Sequence, residues 1–177
     1  MIILMAGLPG TGKTTLAREL ARHTCGAILG KDEIRAALFS PPDIDYSVEQ
    51  DDFVMEVMLE AAEHLLQKNP ERKVFFDGRT FSRRYQIGRV LEFAESLRQP
   101  WAIVECVCSV ATTRQRLVAD SSHPARNRNF DLYLEVQSNF EPISRPKTVI
   151  DTDRPLAVCL EQALAALADP ASHHRLK

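Results

Sequence analysis

The sequence predicts an α/β fold: five parallel strands in one sheet, sandwiched by helices on both faces. Three observations predict it. Short apolar runs alternate with helical stretches throughout, the pattern of a parallel sheet covered on both sides. The first run, Ile2-Ile3-Leu4-Met5, passes through a glycine-rich turn directly into a helix. Finally, 177 residues suit one such domain, enough to enclose a core but short for two. A single domain over 1–177 is therefore expected.

Each element has its own signal. Ile2 to Met5 reads as a buried strand, and Thr15 to Arg22 as the helix that follows. Ala27-Ile28-Leu29 is a brief second strand, succeeded by a helical stretch from Lys31 to about Phe39 that Ser40-Pro41-Pro42-Asp43 breaks. Ser47, with Gln50 three residues on, has the capping-box pattern that opens a long helix. Its apolar residues Val54, Val57, Met58, Ala61 and Leu65 recur at helical spacing, and Asn69-Pro70 ends it. Val74-Phe75-Phe76 is a third strand, Arg83 to Arg98 a helix, Trp101 to Val107 a fourth strand, and Ala111 to Ala119 a helix. Thr148-Val149-Ile150 is a fifth strand and Leu156 to Leu167 a closing helix. Two stretches break the rhythm. Asp120 to Asn129 is polar, with Pro124 and no apolar period, and the polar tail from Ala171 to Lys177 is expected to fray.

Composition narrows the function. A formal charge of −2 provides no general attraction to nucleic acid. Arginines greatly outnumber lysines, which suits local anion sites built on planar, bidentate contacts. Cys25, Cys106, Cys108 and Cys159 lack CxxC spacing, and Cys106 and Cys108 share one face of a strand. They read as buried free thiols in a reducing compartment. Met1 to Leu8 lacks a basic leader region and runs into the glycine turn, so it does not read as a signal peptide. No apolar stretch is long enough to span a bilayer. A cytoplasmic protein without a membrane partner is expected.

Gly7-Leu8-Pro9-Gly10-Thr11-Gly12-Lys13-Thr14 matches the phosphate-binding template G-x-x-x-x-G-K-[ST] at every fixed position, between a strand and a helix as the template requires. The glycines let backbone N–H groups turn inward around a triphosphate, and the helix N-terminus adds partial positive charge. Lys13 would reach the β- and γ-phosphates and Thr14 would ligate Mg²⁺. Thr15 adjoins the same loop. ATP and Mg²⁺ are the expected cofactors. Gly10-Thr11-Gly12 also invites a dinucleotide reading, but Thr15 occupies the third glycine position and Lys13 stands where a pyrophosphate would pass bare backbone.

In a parallel sheet every strand's C-terminal end lies on the edge where ligands bind. A first helix of about ten residues descends roughly 15 Å at about 1.5 Å per residue, and a strand of four or five residues climbs about as far. Gly30-Lys31-Asp32-Glu33-Ile34-Arg35 should therefore arrive beside the triphosphate, as should Asp77, Gly78 and Arg79 after the third strand. Three apolar residues followed by Asp77 resemble a Walker B pattern, so Asp77 would hold Mg²⁺ directly or through water. A turn or helix-capping aspartate is the alternative to this metal-side role for Asp77.

These segments together resemble the small P-loop kinases of the AAA_33 or predicted-kinase family, whose relatives include the 5′-kinase domain of polynucleotide kinase, chloramphenicol phosphotransferase, zeta toxins and gluconate kinase. The glycine loop and Lys31-Asp32-Glu33-Ile34-Arg35 carry most of the resemblance. Phe76-Asp77-Gly78-Arg79-Thr80 is similar to the segment after the third strand, Arg114-Gln115-Arg116-Leu117 to the helix before the lid, and Val149-Ile150-Asp151-Thr152 to the nucleotide-base loop. The resemblance implies a P-loop NTPase fold over nearly the whole chain. In the polynucleotide kinase branch an Asp-x-x-Arg unit supplies the base for the acceptor hydroxyl and a grip on an acceptor phosphate, roles that fall on Asp32 and Arg35. The chemistry agrees, since phosphoryl transfer needs a metal, cations on developing charge and an acceptor for the hydroxyl proton. Asp32 as a helix-terminal residue favoured by the dipole is the plainer alternative. Glu33 is the weaker base because it lies off the Asp32–Arg35 face.

The stretch 120–129 reads as a short arginine-bearing lid, with Arg126 and Arg128 closing over the triphosphate, or as a solvated loop. Arg114 and Arg116 point different ways on one helix, so one of them, Arg116, is expected at the phosphates. Arg154, beyond the base loop, counts among the nucleotide-binding residues. Arg79, Arg83 and Arg84 follow the third strand and would contact an anionic acceptor, with a helix surface the commoner reading of Arg83 and Arg84. Asp43, Asp45, Tyr46, Asp51 and Asp52 lie at the mouth of the acceptor pocket, and this acidity argues against a polynucleotide. The leading expectation is an ATP-dependent kinase for a hydroxyl of a small-molecule acceptor. A polynucleotide 5′-hydroxyl kinase is second, and an NTP-hydrolysing switch without an acceptor is the alternative of another class. A GTPase lacks its Asn-Lys-x-Asp signature here. An AAA+ motor is disfavoured because Gly78 follows Asp77 in place of a second acid.

Overall fold

The computed structural model describes residues 1–119 and 129–169. The expected lid at 120–128, with Arg126 and Arg128, and the tail 170–177 lie outside the described residues. Five strands, β1 (Ile2–Ala6), β2 (Ala27–Gly30), β3 (Val74–Asp77), β4 (Trp101–Val107) and β5 (Thr148–Asp151), form one sheet in the order β2-β3-β1-β4-β5. All pairings are parallel. The helices are α1 (Lys13–Thr24), α2 (Lys31–Leu38), α3 (Val48–Lys68), α4 (Arg84–Ser96), α5 (Val110–Ala119), α6 (Phe130–Ser138) and α7 (Leu156–Ala168), with a 3₁₀ turn at Pro41–Asp43. The α/β class read from the sequence holds.

Strand residues alternate between two buried faces, which is why β1 and β3 read as unbroken apolar runs. Ile2, Leu4, Val74, Phe76 and Ile103 pack against Val54, Met58 and Ala62 of α3 and Val90 and Ala94 of α4. Ile3, Met5, Phe75, Val104 and Cys106 pack on the other face against Leu16 and Leu20 of α1 and Cys159, Ala163 and Leu167 of α7. The chain moves from β1 to β2 and β3 on one side, then crosses to β4 and β5 on the other. The switch point, where open α/β sheets bind ligands, is the C-terminal end of β1. Glycine 7 begins there.

Several local details differ from the sequence reading. Helix α1 starts at Lys13, two residues earlier than its apolar pattern indicates. The buried stripe of α3 is Val54, Met55, Met58, Leu59, Ala62 and Leu66, while Val57, Ala61 and Leu65 are only half-buried. Adjacent apolar stripes leave that rotation undetermined by spacing alone. Ser47 Oγ accepts from Gln50 N at 3.1 Å, but the Gln50 side chain donates to Asp43 O at 2.8 Å, so only half of the capping box forms. Helix α6 has no counterpart in the sequence reading; Asn129 caps it by accepting from Leu132 N at 2.8 Å. Its apolar residues alternate, which masks the helical period, and only Tyr133 is buried. Among the cysteines, Cys106 and Cys159 are buried free thiols as expected, but Cys25 is exposed. Cys108 lies beyond the end of β4, where its thiol meets Thr113 Oγ1 at 3.1 Å. No helix among the described residues is long and apolar enough to cross a membrane.

Candidate active site

The phosphate loop links β1 to α1, and close approach dictates its first residue. Gly7 has φ 128°, and a Cβ there would lie 2.3 Å from the carbonyl oxygen of Cys106 on β4. Any side chain would push the loop off the sheet. Lys13 is buried, and its ammonium donates to Gly7 O and Leu8 O, both at 2.8 Å. The loop thus wraps around the lysine head. Helix α1 begins without a capping side chain and without an acid in its first turn. Its leading N–H groups and its dipole are therefore left for an external anion. Thr14 is half-buried, Thr15 exposed, and Pro9 buried.

Two residues distant in sequence hold this loop. Thr152, just after β5, donates from Oγ1 to Thr11 O at 2.8 Å. Arg116 on α5 donates to Thr152 Oγ1 at 3.0 Å, Thr152 O at 2.7 Å and Gly10 O at 3.5 Å. Arg114 turns away and stacks over Phe130 at 4.1 Å. Beside this strap opens a cleft of about 410 Å³, lined by Gly10, Gly12, Thr15, Leu16, Arg116, Ala119, Thr152, Arg154, Leu156 and Cys159. The cleft thus runs from the phosphate loop to Leu156 and Cys159 of α7. The resemblance places Thr152 in the nucleotide-base loop, but a lone threonine after a strand carries no signal of a contact this remote. Thr152→Val is expected to destabilise the fold by about 1–3 kcal/mol, because it leaves Thr11 O and an arginine donor unmet, and to weaken ATP binding. Urea unfolding and calorimetry check this, with Thr152→Ser restoring both.

Asp77 closes β3 in register with Gly30 of β2. It is buried, and its Oδ1 has no hydrogen-bond partner among the described residues. Such an oxygen next to a phosphate loop fits a magnesium-side carboxylate holding the ion through water, with Thr14 as the other protein ligand. The described residues contain no cluster of three or more His, Cys, Asp or Glu side chains that could hold a metal ion by themselves. The Cys106 thiol beside the loop is pushed up to about 12 by burial, with the Lys13 charge opposing.

The end of β2 brings the predicted acceptor residues together, but in an unforeseen pairing. Arg35 is almost fully buried, with one amine on Asp32 at 2.9 Å and the other on Asp51 of α3. Lys31 donates to Asp51 at 2.7 Å, Arg79 donates to Asp52 at 2.6 Å, and Arg35 also lies over the Tyr46 ring at 5.1 Å. Asp51 and Asp52 are therefore bound by cations, and the acidic mouth read from the sequence is largely neutralised. Asp45 is occupied in accepting from Ser47 N at 2.8 Å. Lys31 falls to about 7 because burial strips its hydration, with Arg35 and Arg79 pushing the same way and Asp32 opposing. Glu33 turns to Arg18 at 3.4 Å, and Arg83 and Arg84 pair with Glu141 on the helix surface.

The fold recurs in solved structures. The APS kinase of Mycobacterium tuberculosis, in complex with AMPPNP and APS, superposes with a TM-score of 0.71 at 13% identity, over 95% of this chain and 97% of that one. Chaetomium thermophilum Kti12 in complex with ADP-AlF3 gives 0.69 at 15%, over 96% and 100%. A gluconokinase from Sinorhizobium meliloti 1021 gives 0.67 at 18%, over 94% and 90%. These likenesses establish the P-loop NTPase fold. No curated protein matches the chain significantly. The sequence model of the AAA_33 family, described as an AAA domain, matches residues 2–142. That match runs from the first strand through the phosphate loop, the Asp32–Arg35 unit and Arg116, and the chain belongs to the AAA_33 family.

Proposed function

We propose that this protein is a Mg²⁺-dependent kinase that transfers the γ-phosphoryl group of ATP to a hydroxyl of a small molecule. One observation carries the reading. Asp32 is locked by the buried Arg35 at 2.9 Å, at the sheet edge that also bears the phosphate loop. A carboxylate fixed there supports a base for an acceptor hydroxyl; a hydrolysing switch would turn the same group on water, and the transfer screen below separates the two. Asp32 takes the acceptor's proton. Arg35, with both terminal amines engaged, orients Asp32 and is not the primary grip on the acceptor. The loop from Gly7 to Thr15 cradles the phosphates, Lys13 neutralises the charge that develops on them, and Arg116 and Arg154 border the nucleoside cleft. Mg²⁺, held by Thr14 and Asp77, supplies neutralisation of the phosphate oxygens when bound. Arg126 and Arg128 add transition-state charge from the proposed lid.

The structural neighbours named as gluconokinase and as an APS complex support a small acceptor. A polynucleotide 5′-kinase stays the second reading because Lys31 and Arg35 cancel Asp51 and Arg79 cancels Asp52, which weakens the electrostatic argument against a phosphate backbone. Label transfer from γ-labelled ATP to metabolite pools and to 5′-hydroxyl oligonucleotides decides. The expected result is a labelled small molecule formed at a rate that barely changes with salt. Labelling of oligonucleotides that improves with their length and falls steeply with salt would establish the second reading. Release of inorganic phosphate with no labelled acceptor would point to the switch.

A further inference from the structure

The arginine that follows β3 occupies an unusual position. Gly78 turns at φ 87°, and a Cβ there would lie 3.0 Å from both the backbone nitrogen and the Cβ of Lys31. The turn is thus pressed against the start of α2. Two residues on, Thr80 O accepts from Gly7 N at 3.1 Å, which ties the same turn to the phosphate loop. Arg79 is therefore held between the phosphate loop and the α2–α3 wall. Its side chain is 5% exposed, yet its partner Asp52 is 46% exposed. Its Nε is buried with no hydrogen-bond partner among the described residues, as is that of Arg35.

A buried guanidinium holding a half-exposed carboxylate by one amine, with a second donor unmet, is an incompletely occupied oxyanion site. Arg35 differs, since Asp32 and the less exposed Asp51 take both of its terminal amines. Charge balance points the same way. Lys31, Arg35 and Arg79 face Asp32, Asp51 and Asp52. A neutral ligand leaves that set as it stands. An anionic ligand adds charge beside Asp32, Asp51 and Asp52, so it enters at least cost where a carboxylate leaves, and Asp52, nearest to water, loses least by leaving.

We propose that Arg79 is the anion anchor of the acceptor site, and that Asp52 is a placeholder which a compact oxyanion on the acceptor (a carboxylate, sulfate or phosphate group) displaces. The identification of that oxyanion with the acceptor rests on the kinase reading; the exchange at Arg79 does not. Binding then completes the hydrogen bonding of Arg79 and returns Asp52 to water. Acceptors carrying an oxyanion gain affinity over neutral analogues of the same shape.

The test uses inorganic sulfate as the probe and the full-length protein saturated with Mg·AMPPNP, so that the phosphate loop is already filled. Thermal unfolding is followed against sulfate, with chloride at matched ionic strength subtracted. In Asp52→Asn the sulfate concentration for half-maximal stabilisation is expected to fall at least about fivefold, because the competitor for Arg79 has lost its charge. Arg79→Gln is expected to lose the sulfate-specific response in both backgrounds. Arg79→Lys, which keeps the charge but not the fork, covers the case in which Arg79→Gln fails to fold, and is expected to retain a weakened response. Asp43→Asn removes a nearby acid without freeing an arginine and should leave the sulfate dependence within about twofold of wild type. Equal tightening in Asp43→Asn, no tightening in Asp52→Asn, or a full response in Arg79→Gln or Arg79→Lys overturns the proposal. Transfer screens separate it from the kinase reading. Tightening in Asp52→Asn without transfer to any acceptor leaves the anion site standing and removes the kinase, whereas transfer with no sulfate effect does the opposite.

Discussion

Lys13→Ala is expected to abolish measurable phosphoryl transfer and to weaken MgATP binding by about 10- to 150-fold. The range follows from removing charge-assisted hydrogen bonds worth about 1.5–3 kcal/mol. The buried ammonium spans Gly7 O and Leu8 O at 2.8 Å each, so its position inside the loop is set before nucleotide arrives. Loss of this cation leaves the loop itself with only backbone N–H groups and the dipole of α1 to meet the phosphates. Its contribution should grow as charge shifts toward the β–γ bridge, so turnover should fall by about 10²-fold or more beyond the binding loss. Calorimetry for affinity and single-turnover kinetics separate the two effects. Wild-type MgATP affinity in Lys13→Ala, with the fold intact by circular dichroism, would remove the assignment of this loop.

Asp32→Asn is expected to leave MgATP affinity unchanged while transfer falls by about 10²-fold or more at saturating acceptor. The amide keeps an oxygen for Arg35, so the 2.9 Å contact can persist, but it cannot take a proton. The substitution also removes the charge of a carboxylate that the almost fully buried Arg35 holds. A modest loss of stability is therefore expected and should be measured alongside turnover. Unchanged turnover would take Asp32 out of the chemistry and leave the kinase reading without the observation that carries it. Stability loss with unchanged turnover would make Asp32 a purely structural partner of Arg35.

The two predictions draw on differently legible parts of the chain. Lys13 was readable because the phosphate loop is built from contiguous residues. Its glycines, lysine and threonine define one backbone path whatever surrounds them, and an apolar strand before and a helix after complete the unit. The sheet was readable for a similar reason, since strands buried on both faces leave unbroken apolar runs such as Val74-Phe75-Phe76. Helix α6 was not legible, because alternating apolar residues concealed its period. The buried face of α3 lies about one residue from the stripe its spacing predicts, because apolar side chains occupy neighbouring stripes.

Around the candidate acceptor site the sequence supplied the participants but not the pairing. Asp32, Arg35, Asp51, Asp52 and Arg79 were all visible as charges near a sheet edge, and an acidic mouth was the natural reading. Whether an acid repels a substrate or neutralises a buried arginine depends on which helix face packs against which, and the packing of α2 on α3 decided it. The same holds for the strap at the nucleotide end, where Thr152 and Thr11 meet although 141 residues apart. By itself, then, the sequence determined the α/β fold class, the phosphate-binding loop and the edge of the sheet where chemistry would occur, because local backbone geometry and hydrophobic periodicity are written in contiguous residues. Only the tertiary structure decided that Arg35 is committed to Asp32 and Asp51, that Arg79 keeps an unmet donor, and that Arg116 and Thr152 brace the loop. Ion pairs and buried hydrogen bonds act through space between elements, and no spacing along the chain encodes them.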